Sequence, residues 1–197
     1  VTLLALQSLL ARRPPAASLC CLIVGCGVQG RNHLDALATL WPQTRFLLHS
    51  RSPASAQRLA DDASAAGRTA DVVTDVEAVL AACDLVILCT PALRICLPSA
   101  PQDGAIIAAI GAFMPTMAEV APAIVHALGR NILLDTPDAV HEAGDLLGAG
   151  VDPDGLPTLL DEPDRWPLAF DRTVLFKSCG SALWDLSAAR VLARPPD

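Results

Sequence analysis

Apolar residues recur along this chain in two rhythms. Short, largely apolar runs at 19–24, 45–49, 70–74, 85–89, 105–110, 131–134 and 173–176 are bounded by Gly, Pro, Asp, Asn or Ser and read as strands. The run at 85–89 is apolar throughout, which predicts burial on both faces. Between the strands, apolar positions return every three or four residues. That spacing predicts helices over 1–12, 29–40, 53 to about 66, 76–82, 116–128 and 180–192. Pro14-Pro15 stops the first helix, Ser52-Pro53 supplies a cap and first residue for the third, and Asp75 caps the fourth. Asp135-Thr136-Pro137 opens one more helix, and 144–167, rich in Asp, Gly and Pro, is the least regular part. Strands alternating with helices predict an α/β chain with a doubly wound parallel sheet.

The first strand runs into Gly25-x-Gly27-x-x-Gly30, and a helical pattern starts at once. Strand, tight turn and helix in that order suit a dinucleotide pyrophosphate, which makes the fold a Rossmann-type dinucleotide-binding domain. Gly25 allows the turn, Gly27 lets backbone approach the phosphates, and Gly30 lets the helix pack close to the strand. The phosphates would face free N–H groups and the positive end of the helix dipole.

Ligands in open sheets lie at the carboxyl ends of the strands, which selects 25–30, 49–52, 89–93 and 110–115. NAD-selective sites place Asp or Glu at the end of the second strand, to hold the ribose 2′-hydroxyl. Here that strand ends His49-Ser50-Arg51-Ser52, with no carboxylate. Arg51 can pair with a 2′-phosphate, and Ser50 and Ser52 can donate to it, so NADP(H) is preferred and NAD(H) stays possible. The plainer alternative is a solvated Arg at a strand end. Thr90-Pro91 follows the fourth strand, where backbone can pass under the nicotinamide ribose, and Gly111-Ala112-Phe113 follows the fifth. Lys177 could orient or protonate a substrate and Ser178 could bond the cofactor. From spacing alone, a strand-end Lys and a helix-capping Ser are the favoured explanation.

Composition narrows the class. The chain has 197 residues, 52% hydrophobic and 4% aromatic, with no Tyr. No apolar run approaches the ~18 residues a membrane span requires. A net charge of -7 without a basic cluster argues against nucleic acid as a partner. Seven scattered cysteines, with no Cys-x-x-Cys pair and no Cys/His spacing suited to zinc, favour a reduced, cytoplasmic protein with no metal site.

Five blocks, in order, resemble the ornithine cyclodeaminase/mu-crystallin family. They are Val24-Gly25-Cys26-Gly27-Val28-Gln29; Arg51; Gly111-Ala112-Phe113-x-Pro115-x-Met117-x-Glu119; Leu134-Asp135 with Glu142-Ala143-Gly144-Asp145-Leu146; and Phe176-Lys177-Ser178-x-Gly180-x-Ala182-x-x-Asp185-Leu186. The family holds ornithine-deaminating lyases with tightly held NAD, reductases of cyclic imino acids, and NADPH-binding crystallins. The lyases carry an Asp where this chain has Phe113. With Arg51, that implies the branch reducing Δ1-pyrroline-2-carboxylate or Δ1-piperideine-2-carboxylate to L-proline or L-pipecolate. A non-catalytic crystallin-like binder is the alternative, and a lyase the remoter one.

The candidate cofactor contacts are therefore Gly25, Gly27, Val28, Gln29, Gly30, Ser50, Arg51, Ser52, Thr90, Pro91, Gly111, Phe113 and Ser178, with Lys177 as the candidate catalytic side chain. Family members have a substantial portion ahead of this domain, which holds the substrate carboxylate and forms a homodimer surface. The expectation is therefore a cofactor-binding part with little turnover alone. Residues 1–17 would be the remnant of an inter-domain helix and linker, 18–178 the dinucleotide-binding domain, and 179–197 a helix returning toward the substrate portion. Apolar surface is expected on the first and last helices.

Overall fold

The computed structural model describes residues 1–13, 18–91 and 94–193. The Pro14-Pro15 stop and Ala92-Leu93 of the loop after the fourth strand lie outside them. Seven strands form one parallel sheet: β1 (Cys20–Val24), β2 (Arg45–His49), β3 (Ala70–Val72), β4 (Leu85–Leu88), β5 (Ile106–Ala109), β6 (Ile132–Leu134) and β7 (Val174–Lys177). Their order is β3-β2-β1-β4-β5-β7-β6. The chain leaves β1 in one direction and returns to its other side at β4, so the switch point lies between those two strands. The doubly wound sheet expected from the sequence is the observed fold.

Alternation along the strands builds a core on each face. Cys21 and Ile23 of β1 join Leu6, Leu34, Phe46 and Leu59 on one face. Leu22 and Val24 join Val86, Leu97 and Val125 on the other. The first face is covered by α1 (Thr2–Leu10), α2 (Val28–Leu40) and α3 (Pro53–Ala65). Leu6 and Leu9 of α1 are wholly buried there, each contributing roughly 1.5–3 kcal/mol of transfer free energy. The second face is covered by a 3-10 stretch at Glu77–Ala82, α4 (Pro122–Leu128) and α5 (Gly144–Gly148). The last helix, α6 (Ala182–Leu192), contains no buried residue. No helix among the described residues is long and apolar enough to cross a membrane.

Three expected helices come out differently; the one opened by Asp135-Thr136-Pro137 is a five-residue 3-10 stretch, Pro137–His141. The one expected over 116–128 starts only at Pro122. A proline disfavours helical backbone in the residue before it, and Ala121 is extended at φ -62, ψ 138. Val120 instead bridges Leu97 in parallel fashion. The helix expected over 76–82 is a 3-10 stretch, with Asp75 Oδ1 accepting from Glu77 N at 3.0 Å.

Candidate functional site

The corner after β1 is built by close approach. Gly25 has φ +109, which L side chains rarely adopt, and its N–H donates to His49 O at 2.9 Å. A Cβ there would stand 2.5 Å from Cys89 O, so the ends of β1 and β4 meet over a bare glycine. A Cβ on Gly30 would collide with the Gly25 carbonyl. Gly27 is the opposite case. It caps α2 without a side-chain bond, and no heavy atom lies within 4 Å of the place its Cβ would take.

The first intrahelical bond here runs from Arg31 N to Gly27 O, at 3.0 Å. The N–H groups of Val28, Gln29 and Gly30 therefore precede the helical ladder, at the positive end of the helix where an anion is favoured. Cys26 sits in this loop, but burial pushes its thiol up to about 11. It puts no negative charge beside the corner at neutral pH.

β2 ends beside the corner, Val24 opposite His49. His49 Nδ1 lies 3.0 Å from Val73 O. Ser50 is half-buried, while Arg51 and Ser52 are exposed. Arg51 forms no ion pair among the described residues. Ser52 begins α3 with no side-chain cap bond.

Across the switch point, three buried carboxylates tie the loops together. Glu119 is fully buried. Its Oε1 accepts from Thr90 N and Thr90 Oγ1, both at 2.8 Å, and its Oε2 accepts from Gly111 N at 2.6 Å and Ala112 N at 3.3 Å. Burial raises its pKa, opposed by these bonds and by Lys177. Asp135 Oδ2 accepts from Ser178 Oγ at 2.8 Å, Cys179 N at 3.0 Å and Gly180 N at 2.8 Å. Asp145 Oδ1 accepts from Glu119 N at 2.6 Å and Val120 N at 2.9 Å, and its Oδ2 pairs with Lys177 Nζ at 3.0 Å.

Lys177 has no exposed surface and also donates to the Ala112 carbonyl. Ser178 is buried as well, while Phe113 is 52% exposed. A cleft of about 430 Å³, lined by Thr2, Leu3, Gln29, His33, Ile110 and Ser178 among others, joins the first turns of α2 to the ends of β5 and β7. His33 is nearly buried there, its Nδ1 2.7 Å from Gln29 O, and burial lowers its pKa.

The structure thus brings Gly25, Gly27, Val28, Gln29, Gly30, Ser50, Arg51 and Ser52 to one side of the switch point. Thr90, Pro91, Gly111, Phe113 and Ser178 follow the strands on the other, where Lys177 ends β7. Residue spacing gave no role to Glu119, Asp135 or Asp145. The available signal was an acidic residue inside an apolar stretch, as in Met117-Ala118-Glu119-Val120 and Leu133-Leu134-Asp135. A carboxylate buried there needs partners.

The sequence profile of the ornithine cyclodeaminase/mu-crystallin family matches residues 10–194. The chain belongs to this family. Among family relatives, the Δ1-pyrroline-2-carboxylate/Δ1-piperideine-2-carboxylate reductase of Azospirillum brasilense is 35% identical over 193 residues, 96% of this chain and 59% of the relative. The Δ1-pyrroline-2-carboxylate reductase 2 of Burkholderia ambifaria is 34% identical over 173 residues, 86% of this chain and 53% of the relative. The chain therefore spans between half and three-fifths of the length of these relatives. The Δ1-pyrroline-2-carboxylate reductase of Thermococcus litoralis, solved with NADH and L-proline, shares the fold at a TM-score of 0.77 and 20% identity, covering 95% of this chain and 61% of that one.

Proposed function

We propose that this chain is the nicotinamide-dinucleotide-binding part of a reductase of cyclic imino acids. The substrates would be Δ1-pyrroline-2-carboxylate or Δ1-piperideine-2-carboxylate, the products L-proline or L-pipecolate, and NADPH would be preferred to NADH. The named relatives and the family support the reaction class. One structural observation carries the cofactor reading. The Gly27 corner is open at the head of a 13-residue helix, and Arg51 reaches solvent from the adjoining strand end without an acidic partner among the described residues.

The residues fit a dinucleotide. The N–H groups of Val28, Gln29 and Gly30 would hold the pyrophosphate, with Arg51, Ser50 and Ser52 at a 2′-phosphate. Thr90, Pro91, Gly111, Phe113 and Ser178 would flank the nicotinamide half. A bound reduced nicotinamide would supply hydride to the carbon of the protonated, iminium form of the substrate, so that the amine forms with its proton already at nitrogen; the chain's own residues would orient the cofactor and exclude water. Phe113, which has no proton to exchange, favours a reductase over a lyase. Lys177, enclosed by Asp145 and the Ala112 carbonyl, would position the loop after β5.

Titrating the chain with NADPH and NADH by fluorescence tests this. Tighter binding of NADPH is expected. Arg51→Asp should weaken NADPH about tenfold or more while leaving NADH little changed. Gly27→Ala should weaken both while leaving the melting transition in place, because its Cβ meets no protein atom. Equal affinity for the two cofactors would defeat the Arg51 assignment.

A further inference from the structure

We infer that Glu119 is a positioning residue. Its carboxylate clasps the loops that follow β4 and β5 and holds them in the shape that receives the nicotinamide half of the dinucleotide. This rests on the dinucleotide reading above and adds a residue to which that reading gives no task.

The geometry is that of a two-sided acceptor. One oxygen takes both donors of Thr90, at 2.8 Å each, and the other takes the N–H groups of Gly111 and Ala112, at 2.6 and 3.3 Å. The carboxylate therefore joins two segments that the sheet alone leaves separate, one after each strand. An ionised carboxylate offers acceptors on both oxygens, whereas an amide of the same shape offers them on one. The approach is also sterically committed. A Cβ on Gly111 would collide with the Thr90 carbonyl and stand 2.5 Å from Glu119 Oε1.

Glu119 is itself fixed from behind. Its N–H and that of Val120 donate to Asp145, which pairs with Lys177. No part of Glu119 is exposed, so it acts through Thr90, Gly111 and Ala112 rather than by touching a ligand. Thr90 N adjoins the glycine corner, 3.3 Å from where a Gly25 Cβ would stand, but Arg51 and the first turn of α2 lie on the other side of the switch point, so the adenine half should sense the clasp far less than the nicotinamide half.

The experiment compares two ligands on the full chain. One is NADPH; the other is 2′-phospho-ADP-ribose, which keeps the adenine half and pyrophosphate but lacks nicotinamide. Glu119→Gln is expected to weaken NADPH about tenfold or more and to leave 2′-phospho-ADP-ribose within about twofold. Thr90→Val removes one of the four donors and should show a smaller loss with the same split, and it decides the matter if the Gln variant does not melt cooperatively. A general loss of structure would weaken both ligands together and would overturn the inference. So would a wild-type chain that binds both ligands and variants that bind NADPH as tightly. A wild-type chain that binds neither ligand sinks the dinucleotide reading itself, and this inference with it.

Discussion

The seven cysteines are all free, yet one of them stands apart chemically. Burial raises Cys26 to about 11 and Cys89, Cys96 and Cys179 to about 12. Cys20, half-buried at the start of β1, goes the other way, to about 7. The main cause is the neighbouring Cys83 thiol, whose own proton also faces the Val79 carbonyl at 3.2 Å, with Arg45 on the neighbouring strand adding to it and Asp84 opposing it. Asp84 anchors the same corner, its Oδ2 accepting from Cys20 N at 2.8 Å. Since the thiolate is the nucleophile, Cys20 should alkylate first, with a rate that rises through a midpoint near pH 7. Cys83→Ala should move that midpoint up toward the ordinary thiol value of about 8.5. Mass-resolved labelling with iodoacetamide across pH 6–9 reads both effects. An unshifted midpoint in the variant would mean that Cys83 is not the cause.

At the level of elements, β1, β2 and β4 were legible because each is an apolar run closed by residues that cannot continue it. Gly25 ends the first, Ser50 the second, and Thr90-Pro91 follows the third after Cys89. Strand order beyond β5 was not legible. β7 inserts between β5 and β6, and nothing local to Val174–Lys177 distinguishes an inner strand from an edge one. The start of α4 was misread because helical spacing at 116–121 outweighed the proline that forbids it. The candidate site was legible where backbone makes it, at the glycine corner, and not where long-range carboxylate contacts make it, at Glu119, Asp135 and Asp145. Apolar surface on α6 was read correctly: Leu183 is 43%, Leu186 50% and Val191 65% exposed. That exposure has a measurable consequence. Leu186→Asp should change unfolding free energy by no more than about 0.5 kcal/mol. Leu34→Ala on α2, a residue 1% exposed, should cost about 2–5 kcal/mol. Urea melts of the two variants check the contrast, and a large loss from Leu186→Asp would mean that α6 is held by contacts beyond those described.

Across the whole molecule, the two halves of the sheet are held by different physics at their carboxyl ends. Around β1 and β2 the closure is glycine against backbone; around β5, β6 and β7 buried carboxylates and one buried ammonium are added to it. Lys177 on β7 meets Asp145 on α5 at 3.0 Å, with neither side chain exposed, and the pair reaches the loop after β5 through the Ala112 carbonyl and the 119–120 segment through two N–H groups. Isolated buried charges are costly and a buried pair roughly offsets its own desolvation, so removing one member is worse than neutralising both. Lys177→Met should therefore cost about 3–5 kcal/mol, because it strands the Asp145 carboxylate. Adding Asp145→Asn, which keeps an acceptor for the Glu119 and Val120 N–H groups, should return part of that loss, with a coupling of roughly 0.5–3 kcal/mol. Denaturant unfolding of the two single variants and the double variant measures the coupling directly. If the two losses simply add, the pair is no clamp, and the loops after β5 and β7 must be held by Asp135 and Glu119 alone. If the double variant recovers stability but still binds NADPH poorly, the ammonium serves the shape of the site rather than the stability of the fold.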